Sequence, residues 1–218
     1  MADHTPRRIV DPSESVEQAQ DTGSVRPLRA DAQLNVERVL RGARQAIASA
    51  GLDVGYHEIA RRANVGVGTV YRRFPDRAQL LEAILLDILD ELSSQAERAL
   101  AGRDAWAGFT AFFVVLAHRF GENAGLSASL ADRGGEQVAR ARRRLIDLIR
   151  QVTERAQHEG TLRKDIAWQD VLLLAASLPA PRDCIVDLDT SSAQVARCAI
   201  VIVDGLKERN ATPDGSSS

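Results

Sequence analysis

The residues best suited to chemistry with a charged partner lie in one short run, GVGTVYRRF, which begins at Gly66. The hydroxyl of Tyr71 can donate to a phosphate oxygen, and Arg72 and Arg73 carry the planar, forked cations that suit phosphates and guanine edges. Gly66 and Gly68 leave the backbone bare, which permits close approach to phosphates or base edges. The run therefore predicts a surface that reads duplex DNA.

Other kinds of chemistry lack the residues that they need. The four histidines stand singly at positions 4, 57, 118 and 158, which supports neither a zinc site nor a catalytic triad. GVGTVY lacks the third glycine of a nucleotide-binding loop, and GLSAS lacks the last glycine of a nucleophile elbow. Two cysteines, Cys184 and Cys198, are too few for a disulfide scaffold. We expect no enzyme, no metal site and no cofactor.

Charge is distributed unevenly along the chain, whose net charge is −2. Residues 1–30 hold four Lys and Arg against five Asp and Glu, residues 31–80 hold eight against five, and residues 81–218 hold sixteen against twenty. The basic excess is thus confined to one region, as a localised phosphate-binding face requires. Because the chain shows no apolar run typical of a signal peptide or membrane span, we expect a cytoplasmic protein with no membrane partner.

Apolar residues recur at helical spacing almost throughout, which predicts an all-α protein of about nine helices. Residues 1–30 and 211–218 lack an apolar period, so we expect a disordered arm and a disordered tail. We expect a helix-turn-helix DNA-binding domain over residues 31–80 and a larger helical domain for ligand binding and dimerisation over residues 81–210. The predicted helices cover approximately residues 31–50, 56–63, 67–74, 76–102, 104–120, 122–131, 135–158, 167–178 and 191–209.

The segment from Tyr56 to Phe74 has the layout of a helix-turn-helix, with two short helices joined by a tight turn at Asn64-Val65-Gly66. Apolar residues of both helices can pack together, and basic residues of the second helix then face outward. Arg61 and Arg62 are interpreted as a solvated helix face, with weak attraction to the DNA backbone for one of them. The residues left nearer the DNA are Val67, Gly68, Thr69, Tyr71, Arg72 and Arg73.

The longer run EIARRANVGVGTVYRRFPDRAQLLEAIL resembles the DNA-binding domain of the TetR family of bacterial regulators. The resemblance implies that Thr69 and Arg73 face base edges or phosphates, that Tyr71 bonds a phosphate, and that Arg77 binds the DNA backbone. Gly55 and Gly66 stand where the family usually has hydroxyl residues, so only backbone N–H groups can serve there. The residues in register are Ile59, Ala60, Ala63, Val65, Gly68, Val70, Tyr71, Phe74, Arg77, Leu80 and Leu81, and the expected DNA-binding residues are Gly66, Val67, Gly68, Thr69, Tyr71, Arg72, Arg73 and Arg77.

Four of the five phenylalanines lie in one predicted helix together with a tryptophan. A well-filled core accounts for most of them, while the resemblance implies a pocket for a largely apolar small-molecule effector. His118 and Asp132 could supply polar contacts to such a ligand. The segment ERAQHEGTLRKDIAWQDVLLLAASL is similar, more loosely, to an actinobacterial branch of the family. The predicted pocket residues are Trp106, Phe109, Phe112, Phe113, Leu116, Phe120, Leu148 and Leu173.

Two helices near the C-terminus are apolar on nearly every side, so they need cover from two directions. A central helix in a monomer would satisfy this demand, but the resemblance implies a homodimer with a four-helix interface built from the last two helices of each subunit. A two-fold dimer matches a pseudo-palindromic operator. The predicted interface residues are Val171, Leu174, Val195, Ala199, Ile202 and Leu206.

These observations predict a sequence-specific transcriptional regulator, a repressor whose operator affinity changes when an effector binds in the C-terminal domain. The alternative is a helical ligand-binding or scaffolding protein without specific DNA recognition. Binding of a palindromic duplex separates the two, because only the regulator should bind it.

Overall fold

The computed structural model of the chain describes residues 25–129, 135–178 and 192–208. Every regular element in these residues is an α-helix, apart from one isolated bridge between Leu162 and Lys207, so the prediction of an all-α protein is confirmed. None of the described helices combines the length and apolar character needed to cross a membrane. The helices are α1 (Val25–Ala50), α2 (Tyr56–Ala63), α3 (Val67–Arg73), α4 (Arg77–Ala101), α5 (Ala105–Ser129), α6 (Glu136–His158), α7 (Trp168–Ser177) and α8 (Ser192–Leu206).

Two helix boundaries differ from the prediction by the most. Helix α1 begins at Val25, so residues 25–30 are helical and do not belong to the predicted arm. Pro27 falls in the first turn, where a missing N–H costs no hydrogen bond. Helix α5 continues through Gly121, where a break was predicted, so the described residues hold eight helices. One glycine inside a helix costs only about 1 kcal/mol, which a long packed helix outweighs.

Other predicted features lie outside the described residues. They are the rest of the arm at residues 1–24, the tail at 211–218, the break at 179–181, and the individual residues Asp132, Cys184 and Ser191.

The first three helices form the predicted helix-turn-helix. Helix α1 packs closely on α2. The helices approach so closely at Gly42 that a Cβ atom there would lie only 2.6 Å from the backbone nitrogen of Ala63. Asn64 ends α2 in the left-handed conformation at φ 53° and turns the chain towards α3. Asp76 caps α4 by accepting a hydrogen bond from the Ala78 amide at 3.1 Å. Two polar residues, Asn64 and Asp76, thus determine where the turn lies and where α4 begins.

Helix α4 connects this motif to the remaining helices, since it packs on α1, α5 and α6. Its C-terminal carbonyls are held by Arg155 of α6, which donates to Ala99 O at 3.0 Å and to Gly102 O at 2.6 Å. Helix α5 packs on α7 and α8 on its other side. The fold therefore places α4 in contact with both the helix-turn-helix and the C-terminal helices.

A cluster of charged side chains joins three of these helices. Glu91 of α4 accepts from Arg44 of α1 at 3.0 Å and from Arg119 of α5 at 2.5 Å, while Arg44 also pairs with Asp87 at 3.2 Å. Burial raises the pKa of Glu91, but the bonds from the two arginines outweigh it and hold that pKa below its usual value. One carboxylate thus ties the helix-turn-helix to the C-terminal helices.

Candidate nucleic-acid interface

Helix α3 presents the predicted reading residues on its solvent side. Tyr71, Arg72 and Arg73 are exposed, and Thr69 is half-buried, as is Val67. The buried residues of the same segment are Val70 and Phe74, both members of the hydrophobic core. The polar and cationic groups that the sequence singled out are therefore accessible to a partner.

The same helix shares a cleft of about 300 Å³ with α1. Thr69, Arg72 and Arg73 line one side, while Asn35, Val36 and Val39 line the other. Asn35 was not among the predicted DNA-binding residues. The available signal was its polar amide in a predicted helix next to the apolar Val36.

The two glycines at the start of α3 are not required by the fold. A Cβ atom at Gly68 would meet no atom within 4 Å, and the nearest atom to one at Gly66 is Thr69 Oγ1 at 3.9 Å. Gly66 has φ −67° and ψ 141°, which any residue can adopt. Internal packing and backbone strain therefore give no reason for glycine at either position. Both positions therefore leave bare backbone at the surface of α3.

Tyr56, which was not among the predicted site residues, contacts α3 on the side away from solvent. It is 8 % exposed, and its hydroxyl donates to the carbonyl of Phe74 at 2.9 Å. Its ring lies against that of Tyr71, with centroids 4.7 Å apart. Burial raises the pKa of the Tyr56 hydroxyl, which keeps it a protonated donor at neutral pH.

The arginines of α2 are engaged by a carboxylate on the same helix. Glu58 accepts from Arg61 Nε at 2.8 Å and from Arg62 Nε at 2.6 Å, and Arg62 also donates to Gln45 O at 2.6 Å. These arginines lower the pKa of Glu58 to about 2, so the ion pairs persist at neutral pH. Helix α2 consequently offers DNA less free positive charge than the sequence count suggests.

Arg77 has a partner inside the protein. Its Nη1 donates to the carbonyl of Val54 at 2.8 Å, and its Nη2 is buried with no hydrogen-bond partner in the described part of the chain. The side chain thus ties the start of α4 to the loop before α2. In this conformation the guanidinium of Arg77 forms a hydrogen bond inside the helix-turn-helix. The resemblance had implied a contact with the DNA backbone.

We expect Arg77→Ala to weaken operator binding more than random-duplex binding, without changing the salt dependence of either. The reason is that removing an internal brace alters the position of the motif, while the number of displaced counterions stays the same. Fluorescence anisotropy of a labelled duplex across a salt series measures both quantities. A fall of about one unit in the slope of log K against log[salt] would instead identify Arg77 as a phosphate ligand.

The predicted effector residues fall into two groups. Most of them lie in the core around α5, where the Trp106 and Phe109 rings stack at 5.8 Å and the Phe109 and Phe113 rings at 6.2 Å. Leu173 does not join them, because its side chain is 70 % exposed on α7 and is not packed against the described core. The buried or half-buried members are Trp106, Phe109, Phe112, Phe113, Leu116, Phe120 and Leu148.

Four of the six predicted interface residues lie in the core of the subunit itself. The buried members Val171, Val195, Ala199 and Leu206 belong to the subunit's own core, and Leu174 and Ile202 are partly buried against it. The apolar residues exposed on the same two helices are instead Leu173, Ile200 and Val201. On helices that are apolar nearly all round, the sequence pattern does not reveal which side faces the core.

Comparisons with known proteins agree with this geometry. Residues 39–84 match the model of the bacterial regulatory proteins of the tetR family, and residues 104–208 match that of the SbtR-like C-terminal domain of transcriptional regulators. No match is found among curated protein sequences. The solved structures that resemble the chain include a TetR transcription regulatory protein from Mycobacterium vanbaalenii, 30% identical, which covers 83% of this chain and 99% of its own with a TM-score of 0.64.

A TetR transcriptional regulator from Streptomyces coelicolor is 24% identical, covering 79% of this chain and 98% of its own with a TM-score of 0.64. GusR from Salmonella enterica is 22% identical, covering 79% and 93% with a TM-score of 0.52. These two likenesses show the fold alone. The matched family model over the helix-turn-helix and the 30% identical relative show more: this chain belongs to the TetR family and is a DNA-binding transcriptional regulator.

Proposed function

We propose that this regulator is a homodimeric repressor that reads a pseudo-palindromic operator with α3 and changes its operator affinity when a small molecule binds among the C-terminal helices. The observation that carries the proposal is the exposed side of α3. There Gly68, which the fold does not require, stands beside the exposed Tyr71, Arg72 and Arg73. Bare backbone next to forked cations suits a groove that admits a helix.

Each group has a distinct proposed role. Arg73 and Thr69 contact base edges, because a bidentate arginine distinguishes guanine from the other bases. The Tyr71 hydroxyl donates to a phosphate, and Arg72 adds sequence-independent attraction. The backbone at Gly66 and Gly68 approaches the DNA at the N-terminal end of the helix, where the free N–H groups favour an anion.

The homodimer is supported by exposed apolar side chains on the last two helices. Leu173 of α7 is 70 % exposed, and Ile200 and Val201 of α8 are 50 % and 71 % exposed. Together they are three of the five large apolar side chains that stand exposed in the described residues. A two-fold pairing through this face would place the two α3 helices roughly 34 Å apart, or a multiple of it, one on each half-site.

An effector site is supported by the surroundings of α5. The rings of Trp106 and Phe109 stack on α5, and the hydroxyl of the next residue, Thr110, is buried with no partner in the described residues. A buried hydroxyl without a partner is uncommon, and a polar group on a ligand would satisfy it. We propose that effector binding stabilises a dimer with wrongly spaced recognition helices, so that effector and operator affinities are reciprocally coupled.

Selection of genomic fragments by the purified protein tests DNA reading. The expected result is a pseudo-palindromic sequence whose gel shift is lost with Arg73→Ala and strongly weakened with Tyr71→Phe. Arg103→Ala, which changes an exposed arginine after α4, serves as the matched control and should bind normally. Absence of any preferred sequence would favour the alternative, a helical ligand-binding or scaffolding protein.

The effector part has its own test. Compounds that raise the melting temperature bind the folded state. Such a compound should change operator affinity, and the operator should change the affinity for the compound by the same factor. A compound that binds the C-terminal helices and leaves operator affinity unchanged would contradict the proposed coupling.

A further inference from the structure

Tyr56 is the residue that most closely links α2 to the reading surface without belonging to it. It is the first residue of α2 and is buried, so it cannot itself reach a DNA duplex. Both of its specific contacts are with the α3 segment, through the hydroxyl to Phe74 O and through the ring to Tyr71.

The hydroxyl contact satisfies a carbonyl at the end of α3. Phe74 is the C-cap, with φ −130° and ψ 78°, and helix carbonyls at this end have no partner within the helix. Helix α3 has only seven residues, and helices this short are not stable by themselves. An external hydrogen bond at its C-terminal end therefore contributes directly to keeping the helix formed and in place.

The ring contact acts on a reading residue. Tyr71 is 51 % exposed, and the Tyr56 ring, inclined at 55°, covers part of its inner side. Aromatic pairs with this separation attract each other beyond the effect of the area that they bury. The contact therefore favours one orientation of the Tyr71 ring and of its hydroxyl.

We propose that Tyr56 is a positioning residue for sequence reading: by holding the Phe74 carbonyl and the Tyr71 ring, it fixes the orientation of α3 and so determines how well the operator is distinguished from other DNA. The inference rests on the proposed function, since it concerns how the same surface reads its operator. Specific contacts require alignment of α3 within the groove, whereas attraction to phosphates does not.

The test uses Tyr56→Phe in the full-length protein, which keeps the ring and removes only the hydroxyl. We expect the ratio of operator affinity to random-duplex affinity to fall by roughly three- to tenfold, the fold-change of one hydrogen bond. Random-duplex affinity and its salt slope should stay unchanged. Ile47→Val on α1 is the matched control, because it costs similar stability in the same motif while removing only a core methyl group.

Two results would overturn the proposal: an unchanged affinity ratio in Tyr56→Phe, or an equal fall in Ile47→Val. Amide hydrogen exchange of residues 70–74 gives a readout that needs no operator. Exchange there should be faster in Tyr56→Phe than in Ile47→Val at equal global stability. If the wild-type protein prefers no DNA sequence, the proposed function fails, and unchanged exchange would then show that Tyr56 does not position α3 either.

Discussion

Gly68→Ala should make the protein more stable and its operator binding weaker. Gly68 is exposed on α3, where a Cβ atom meets no neighbour within 4 Å, so the substitution causes no internal clash. Alanine is favoured over glycine in a helix by about 0.5–1 kcal/mol because glycine loses more backbone entropy on folding. A thermal melt should therefore shift upwards by a few degrees at most.

The opposite effect on DNA arises from the methyl group itself. If the backbone at this position lies against the duplex, an added methyl overfills the contact and costs about 1–3 kcal/mol, which corresponds to operator binding weaker by roughly 5- to 150-fold. Binding to random duplex should change much less, because Arg72 and Arg73 keep their attraction to phosphates. Gel shifts on both duplexes measure the two quantities.

Gly102→Ala is the matched control for this experiment. Gly102 follows α4, is exposed, and has room for a methyl group, whose nearest neighbour would be Ala99 O at 3.5 Å. It should leave operator affinity unchanged. Because Gly68→Ala is expected to stabilise the fold, misfolding cannot account for lost binding. Wild-type operator affinity in Gly68→Ala would show that the backbone does not approach DNA there.

The helix-turn-helix was predictable from sequence because its signals are local. Gly55 and Gly66 stand at the two N-cap positions, Asn64 forms the left-handed turn, and Asp76 caps the next helix. Helix α2 has the predicted bounds, and α3 ends one residue before the predicted end. Each of these features depends on residues only a few positions apart, so sequence patterns specify them.

Contacts across the chain were not predictable in the same way. The bond between Tyr56 and Phe74 spans 18 residues and depends on how α2 and α3 pack together. The internal partner of Arg77, Val54 O, lies 23 residues away and contributes a backbone atom, which no side-chain pattern marks. The motif identified which residues are polar and exposed, but only the structure shows which of them support the others.

The C-terminal helices show a second limit. In α8, Val195, Ala199, Val203 and Leu206 face the core, while Ile200 and Val201 face outward, yet all six are apolar. Apolar periodicity identifies a core-facing side only when the opposite side is polar. The sequence therefore showed that these helices are apolar on several sides, but it assigned core residues to the surface of the predicted dimer.

Val201→Asp should convert the proposed dimer into a monomer. Val201 is 71 % exposed within the subunit, so an aspartate there remains solvated in a monomer and should not unfold it. In an apolar two-fold interface the same carboxylate appears on both subunits without a cationic partner. Removing an unpaired charge from water costs several kcal/mol, which exceeds what one contact can compensate. Sedimentation velocity at micromolar concentration should show the loss of the dimer.

Loss of the dimer should remove operator binding even though α3 is untouched. Two linked recognition helices gain roughly 10²- to 10⁴-fold in affinity over one, because the second half-site is bound at high effective concentration. Ala111→Asp adds the same charge to an exposed position on α5 and should leave both the dimer and operator binding intact. If Val201→Asp still sediments as a dimer and binds the operator, this face of α8 is not the interface. The subunits would then pair through another surface.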